Sequence, residues 1–338
     1  MSKSSEPPDP YQLLQIVLNP EGTVTLSLED PHTPATSDPN LPIAVLTKDF
    51  IINQSNNTWV RLFVPRKLFN HHPSNNKKLP LIVYFHGGGF ICYSAASTVV
   101  HDFCSKMATD IEAVVASVNY RLAPEHRLPA AYEDAVEALH WIKTCPDGWL
   151  RQFVDYSNCY LMGNSAGATI AYHAGLRVAE KGQDDLEPMK IKGLILHQPG
   201  FGGTQRTESE MRLEKNPVLP MCACDLLWEL ALPVGANRDH EYCNPTAPRG
   251  PEKMEKIRVA GWRVMVSGNG EDPLVDRGRE VVKMMKKKGV KVVTDFVEQG
   301  THGVEFVDPS VASRLNRVLK RFISSSNKWG EGGRQVLR

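Results

Sequence analysis

From about residue 79 onward, apolar runs of strand length alternate with segments whose apolar residues recur at helical spacing. The runs are residues 81–85, 113–118, 158–162, 191–197, 263–267 and 291–296; the amphipathic segments are residues 98–110, 130–144, 166–180, 277–288 and 309–324. Parallel strands need a crossover between them and are buried on both faces. Unbroken apolar runs separated by helices therefore predict a mainly parallel central sheet with helices on both faces, an α/β fold. Upstream, residues 45–52 and 59–65 flank a polar stretch and predict an antiparallel hairpin at the sheet edge.

Two stretches break the alternation. Residues 1 to about 43 are proline-rich around one short apolar helix candidate, 11–18, and residues 202–248 form an irregular insertion carrying Leu226, Leu227, Trp228 and Leu230. In open α/β sheets the chemistry gathers outside the carboxyl ends of the strands, where inserted segments commonly cover it. The pattern predicts a single domain over residues 1–338, with both stretches forming a cap over that edge.

Composition narrows the function classes. The chain has 338 residues, 41% hydrophobic and 23% charged, enough for a large core. Lys plus Arg (39) nearly balance Asp plus Glu (38), so no overall field draws the chain to nucleic acid or an anionic membrane. Lys286, Lys287 and Lys288 precede Gly289 at the end of an amphipathic segment, where cations suit a helix terminus. Residues 1–10 lack the apolar core of a secretion signal, and no apolar run has the length of a membrane span. Seven scattered cysteines show no metal-ligand spacing, which predicts free thiols in a reducing compartment and no metal or cofactor. The expectation is a cytoplasmic, monomeric protein whose partner is a small molecule.

The candidate chemistry begins at Gly163, Asn164, Ser165, Ala166 and Gly167, between an apolar run and an amphipathic segment. A serine between glycines at a strand-to-helix turn predicts a nucleophile elbow, because only very small neighbours let strand and helix approach that closely. His86, Gly87, Gly88, Gly89 and Phe90 follow the run 81–85, and successive glycines leave backbone N–H groups free to face a developing negative charge. Gly88, Gly89 and the amide of Ala166 are the candidate oxyanion donors. No Lys-Ser or Lys-Thr pair follows, which argues against a phosphate loop.

A serine nucleophile needs a base to take its proton and an acid to orient that base. His173, His197, His240 and His302 follow Ser165 in the chain. The first lies within the helix after the elbow, the second ends a strand in a packing position, and the third lies in the irregular insertion. His302, in a glycine-flanked turn after the last strand, is the candidate base. Asp272 is the candidate acid, since it leaves the preceding strand ahead of Pro273; Glu271 and Asp276 are the alternatives, the latter placed to cap the next helix. Phe90, Tyr93, Phe201, Leu227 and Trp228 are candidates for the substrate pocket, and each reads equally well as plain core.

Together these motifs resemble the hormone-sensitive-lipase group of the α/β-hydrolases, and within it the plant carboxylesterases. The resemblance covers nearly the whole chain and rests on residues 86–90, 120–125, 129–134, 163–167, 272–274 and 302–303; residues 11–22 look like the lid segment of the plant branch. It implies an α/β-hydrolase fold and hydrolysis of small carboxylic esters through an acyl-enzyme. It also implies that Arg121 and Glu125 make internal ion pairs. Asn164 departs from the aspartate usual in the group, which implies a tuned site rather than an inactive one. Two other functions are known in relatives of this fold: elimination by a dehydratase or lyase, and ligand binding by gibberellin-type receptors, whose catalytic histidine is gone.

Overall fold

The computed structural model describes residues 9–70, 77–248 and 250–325. Residues 1–8 of the N-terminal segment lie outside the described residues. The segment 11–18 does not form the helix that its apolar spacing predicts. Helix α1 (Pro10–Leu13) is one turn long, capped by Asp9, whose carboxylate accepts the Tyr11 N–H at 2.9 Å. Gln15 then takes φ 52°, and the β-branched Ile16 and Val17 enter strand β1 (Ile16–Leu18), antiparallel to β2 (Val24–Leu26). Pro20 cannot continue a helix, and the Asn19 N–H closes the turn onto the Thr23 carbonyl at 2.8 Å.

The central sheet contains β3 (Val45–Asn53), β4 (Thr58–Pro65), β5 (Leu79–Phe85), β6 (Val114–Asn119), β7 (Val154–Asn164), β8 (Ile191–His197), β9 (Arg263–Asn269) and β10 (Lys291–Val297). Their order is β10-β9-β8-β7-β5-β6-β4-β3. The edge pair β3–β4 and the join β4–β6 are antiparallel, and every other pairing is parallel. This is the mainly parallel sheet with an antiparallel edge hairpin that the hydrophobic pattern predicts.

The helices after α1 are α2 (Thr98–Ile111), α3 (Ala130–Thr144), α4 (Gly148–Phe153), α5 (Ala166–Lys181), α6 (Glu208–Arg212), α7 (Met221–Ala231), α8 (Gly250–Val259), α9 (Val275–Lys287) and α10 (Pro309–Ser324). Period-two side-chain alternation divides β5 between two cores. Ile82 and Tyr84 pack with Phe103 and Met107 of α2 and Leu319 of α10, whereas Leu81, Val83 and Phe85 pack with residues of α3 and α5 such as Leu139 and Ile170. The spacing does not reveal α8, because its sequence is mostly charged and buries only Gly250, Met254 and Ile257. The irregular insertion contains a real helix, α7, with Leu226, Trp228 and Leu230 buried, and α1 packs against it.

Because β5, β7, β8, β9 and β10 run parallel, the segments that follow them emerge at one edge of the sheet. Those segments begin at His86, Ser165, Gln198, Gly270 and Glu298. Among the described residues no helix is long and apolar enough to cross a membrane. None of the seven cysteines is in a disulfide.

Candidate active site

Ser165 sits between β7 and α5 at φ 52°, ψ −125°, a conformation that a non-glycine residue adopts only under strain. The turn is closed by steric contact. A Cβ on Gly163 would lie 2.1 Å from the Gly167 carbonyl carbon, and one on Gly167 would lie 1.9 Å from the Phe85 oxygen. The Ser165 N–H donates to the His197 carbonyl at 3.0 Å, while the Ser165 carbonyl accepts from Ala168 and Gly200 N–H, each at 3.0 Å. These bonds pin the backbone on both sides of the hydroxyl.

The three side chains expected to act together are in contact. His302 Nε2 lies 2.9 Å from Ser165 Oγ, and His302 Nδ1 lies 2.8 Å from Asp272 Oδ2. A carboxylate only accepts, so Nδ1 carries the proton and Nε2 is free to accept from the serine hydroxyl. Asp272 is fully buried, and its other oxygen accepts the Leu274 N–H at 2.9 Å. Burial works to lower the affinity of His302 for a proton. The negative charge and hydrogen bond of Asp272, with the charge of Glu305, outweigh it and hold the pKa above the ordinary histidine value.

The alternative groups are engaged elsewhere. Asp276 is in the first turn of α9, where it accepts the Ser209 N–H at 2.8 Å and pairs with Arg279 at 2.9 Å. The Glu271 carboxylate accepts the Gly300 N–H at 3.3 Å. His173 is buried and stacked on Tyr132, and His240 packs edge-on against Tyr242. His197 faces the buried Glu305 at 3.2 Å, with its Nδ1 2.8 Å from Ser267 Oγ.

Two supporting residues escape a reading of the chain. Gln198 is buried at φ 45°, and its side chain grips both neighbours of His302: its Oε1 accepts the Gly303 N–H at 2.8 Å, and its Nε2 donates to the Thr301 carbonyl at 3.4 Å. Asn269 donates to the same carbonyl at 3.0 Å. Amides at strand ends carry no motif, and only their convergence on one loop gives them away.

The glycine-rich turn after β5 is held open. Gly88 and Gly89 take φ 102° and 63°, and a Cβ on Gly88 would lie 2.3 Å from the Cys92 carbonyl oxygen. No acceptor among the described residues engages the amides of Gly88, Gly89 or Ala166. His86 anchors the turn: its Nδ1 donates to the Gly87 carbonyl at 2.8 Å, its ring stacks on Tyr120, and its own carbonyl accepts the Tyr120 hydroxyl at 2.7 Å. Complete burial pulls the His86 pKa down to about 4, so this ring is neutral near pH 7. A buried Ser-His-Asp relay facing unbonded amides can transfer an acyl group: the serine adds to a carbonyl, and the amides receive the negative oxygen.

A protein-family model described as the α/β-hydrolase fold matches residues 82–306. The chain belongs to the α/β-hydrolase family. This α/β-hydrolase is 49% identical to carboxylesterase 20 of Arabidopsis thaliana, over 96% of its own length and 99% of that protein. It is 46% identical to a 3-O-acetylpapaveroxine carboxylesterase of Papaver somniferum, over 93% of this chain and 97% of the relative. Among solved structures, an esterase of the archaeon Pyrobaculum calidifontis superposes with a TM-score of 0.68 at 25% identity, covering 84% of this chain and 88% of that one.

In this α/β-hydrolase two cavities meet at Ser165. One, of about 420 Å³, reaches from His302 to Leu13, Leu14 and Tyr93; the other, of about 30 Å³, lies between Gly89, Phe90, Ala166 and Trp228. Leu227 lines both. Phe201 lines neither: it is buried in the core with its ring edge-on to Tyr172, because the chain leaving β8 turns inward before it reaches the site. Arg121 makes the expected ion pair, with the buried Asp134 at 2.6 Å. Glu125 does not. It is exposed and accepts the Val24 N–H at 2.8 Å, tying the β1–β2 ribbon to the hydrolase body. Asn164 is buried, and its amide oxygen accepts the Tyr84 hydroxyl at 2.5 Å, a contact that a neutral side chain makes without an added buried charge. Among the described residues no group of His, Cys, Asp and Glu is placed to hold a metal ion.

Proposed function

We propose that this α/β-hydrolase is a serine carboxylesterase that cleaves small carboxylic esters through an acyl-enzyme. The chain is a carboxylic ester hydrolase, in keeping with plant relatives named carboxylesterases at 46–49% identity. Ser165 is the nucleophile, His302 the base and Asp272 the group that orients and charges the base. Gly88, Gly89 and Ala166 are the oxyanion donors.

As Ser165 Oγ adds to the ester carbonyl, its proton passes to His302 Nε2 and the carbonyl oxygen becomes an oxyanion facing the three amides. Collapse of this intermediate breaks the bond to the alkoxy oxygen, which takes the proton from Nε2 and leaves as the alcohol. Water then adds to the acyl-enzyme by the same route, releasing the acid and restoring Ser165. Each oxyanion donor is worth about a hundredfold to a thousandfold in kcat.

The observation that carries the reading is the 2.9 Å approach of His302 Nε2 to Ser165 Oγ beneath unbonded amides. A receptor of the gibberellin type has no need of that base, and a lyase would release an alkene and an acid rather than an alcohol and an acid. We propose further that residues 9–43 and 202–248 act as a cap, since Leu13, Leu14 and Leu28 from the first and Val218, Leu219 and Leu227 from the second line the larger cavity.

Hydrolysis of 4-nitrophenyl acetate tests the assignment. Ser165→Ala is expected to lower kcat/KM by several powers of ten while leaving thermal stability near that of the parent. A folded variant that keeps its activity would remove Ser165 from the mechanism.

A further inference from the structure

The two cavities at Ser165 differ in size and in the catalytic groups they contain. The larger, about 420 Å³, includes His302 in its wall; the smaller, about 30 Å³, does not, and is bounded by Gly89, Ala166, Gly200, Cys224, Trp228 and Leu274. This asymmetry fixes the direction in which an ester must lie. The alkoxy oxygen receives its proton from His302 Nε2, so the alcohol has to extend into the cavity that His302 lines. The acyl chain leaves the carbonyl carbon in the other direction, past the amides of Gly89 and Ala166, into the smaller one.

Volume then limits the acyl group. One water-sized group needs roughly 10–15 Å³ on this measure, so the smaller cavity holds about two such groups beyond the carbonyl. The wall between the cavities is Leu227 of α7: a Cβ on Gly89 would meet its Cδ2 at 2.5 Å, so the leucine lies directly on the glycine-rich turn. The far end is closed by Trp228, whose ring packs against Phe90 at 5.2 Å between centroids, and by the buried Cys224. The larger cavity is mostly apolar, with Leu13, Leu14, Leu28, Val100 and Phe306 among its lining.

We propose that this protein hydrolyses acetyl and propionyl esters of bulky apolar alcohols, with the acyl group in the smaller cavity, and that Leu227 sets the acyl limit. The proposal rests on the reading of Ser165 as nucleophile and His302 as base, and goes beyond it by assigning each cavity a half of the ester.

An isomeric pair tests the direction. 2-Phenylethyl acetate and ethyl phenylacetate have the same atoms and both release a primary alcohol, but they exchange the bulky half. The first is expected to be cleaved with at least about tenfold higher kcat/KM. Equal rates or the reverse order overturn the assignment of the cavities.

A 4-nitrophenyl series from acetate to octanoate tests the limit. In the parent enzyme kcat/KM is expected to fall by about tenfold or more between propanoate and hexanoate. Leu227→Ala, which joins the cavities, is expected to move the optimum to longer chains, and Cys224→Val, which fills the closed end, to depress propanoate relative to acetate. Folding is checked by melting temperature, and the site by stoichiometric labelling of Ser165 with an organophosphate. Chain-length profiles unchanged in two folded, labelled variants overturn the role of Leu227 and of the smaller cavity. Absence of both labelling and ester cleavage in the parent overturns the underlying esterase reading as well, so the two failures are distinct.

Discussion

At the scale of single residues, the site depends on which carboxylate faces His302 and which face of that ring is free. Asp272 is buried against Nδ1, whereas Asp276, four positions later, is turned toward α6 and Arg279. Asp272→Asn is therefore expected to lower kcat by about four powers of ten, since an amide no longer fixes the tautomer, and Asp276→Asn to stay within a few-fold of the parent. Measured kcat values in the opposite order would transfer the role to Asp276. The same contact sets the acid limb of the pH profile. The base must be neutral to act, and its pKa is held above the ordinary histidine value, so kcat/KM should fall as pH drops through a midpoint above that value. An acid limb at or below the ordinary value would show that Asp272 and Glu305 do not charge the ring as their positions imply.

At the scale of elements, the elbow requires β7, α5 and β5 to approach closer than any side chain permits. A methyl group on Gly167 would meet the Phe85 carbonyl oxygen, which is backbone and cannot swing aside. Gly167→Ala is expected to cost about 1–3 kcal/mol and to displace Ser165, lowering both melting temperature and kcat; a variant with parental stability would contradict the packing. The His302 turn is held differently, by the Gln198 side chain at the end of β8. Gln198→Ala should lower kcat by more than it alters KM, because the base loses its position while the cavity walls remain. A pure KM effect, or none, would show that Asn269 alone holds the turn.

At the scale of the whole molecule, burial of neutral histidines links stability to pH. The folded chain holds the His86 pKa near 4 against an ordinary 6.5, so between those values the unfolded chain binds a proton that the folded chain refuses. Stability from this site is complete above the ordinary value and is lost as pH falls toward 4, by on the order of 3 kcal/mol. The buried His173, with its pKa also pushed well down, acts in the same direction. Tm is expected to fall across this window, with a shallower fall in a folded His86→Gln variant. An identical slope in the variant would locate the linkage elsewhere.

The chain alone determined the α/β architecture, because buried parallel strands and their crossover helices each impose a period that survives in one dimension. It also determined the residues of the relay, because an elbow needs glycines at fixed positions and the partners follow in strand order. Where the periodic signal was thin, reading failed: α8 hides its three buried residues among charges, and residues 11–18 look helical until the ribbon pairing of β1 with β2 prevails. Only the tertiary structure decided that Gln198 and Asn269 hold one loop, that Phe201 is core while Leu227 borders two cavities, and that Glu125 secures a backbone amide instead of an ion pair. Volume and direction at Ser165 arise from segments far apart in sequence, and no local rule of spacing contains the distance between them.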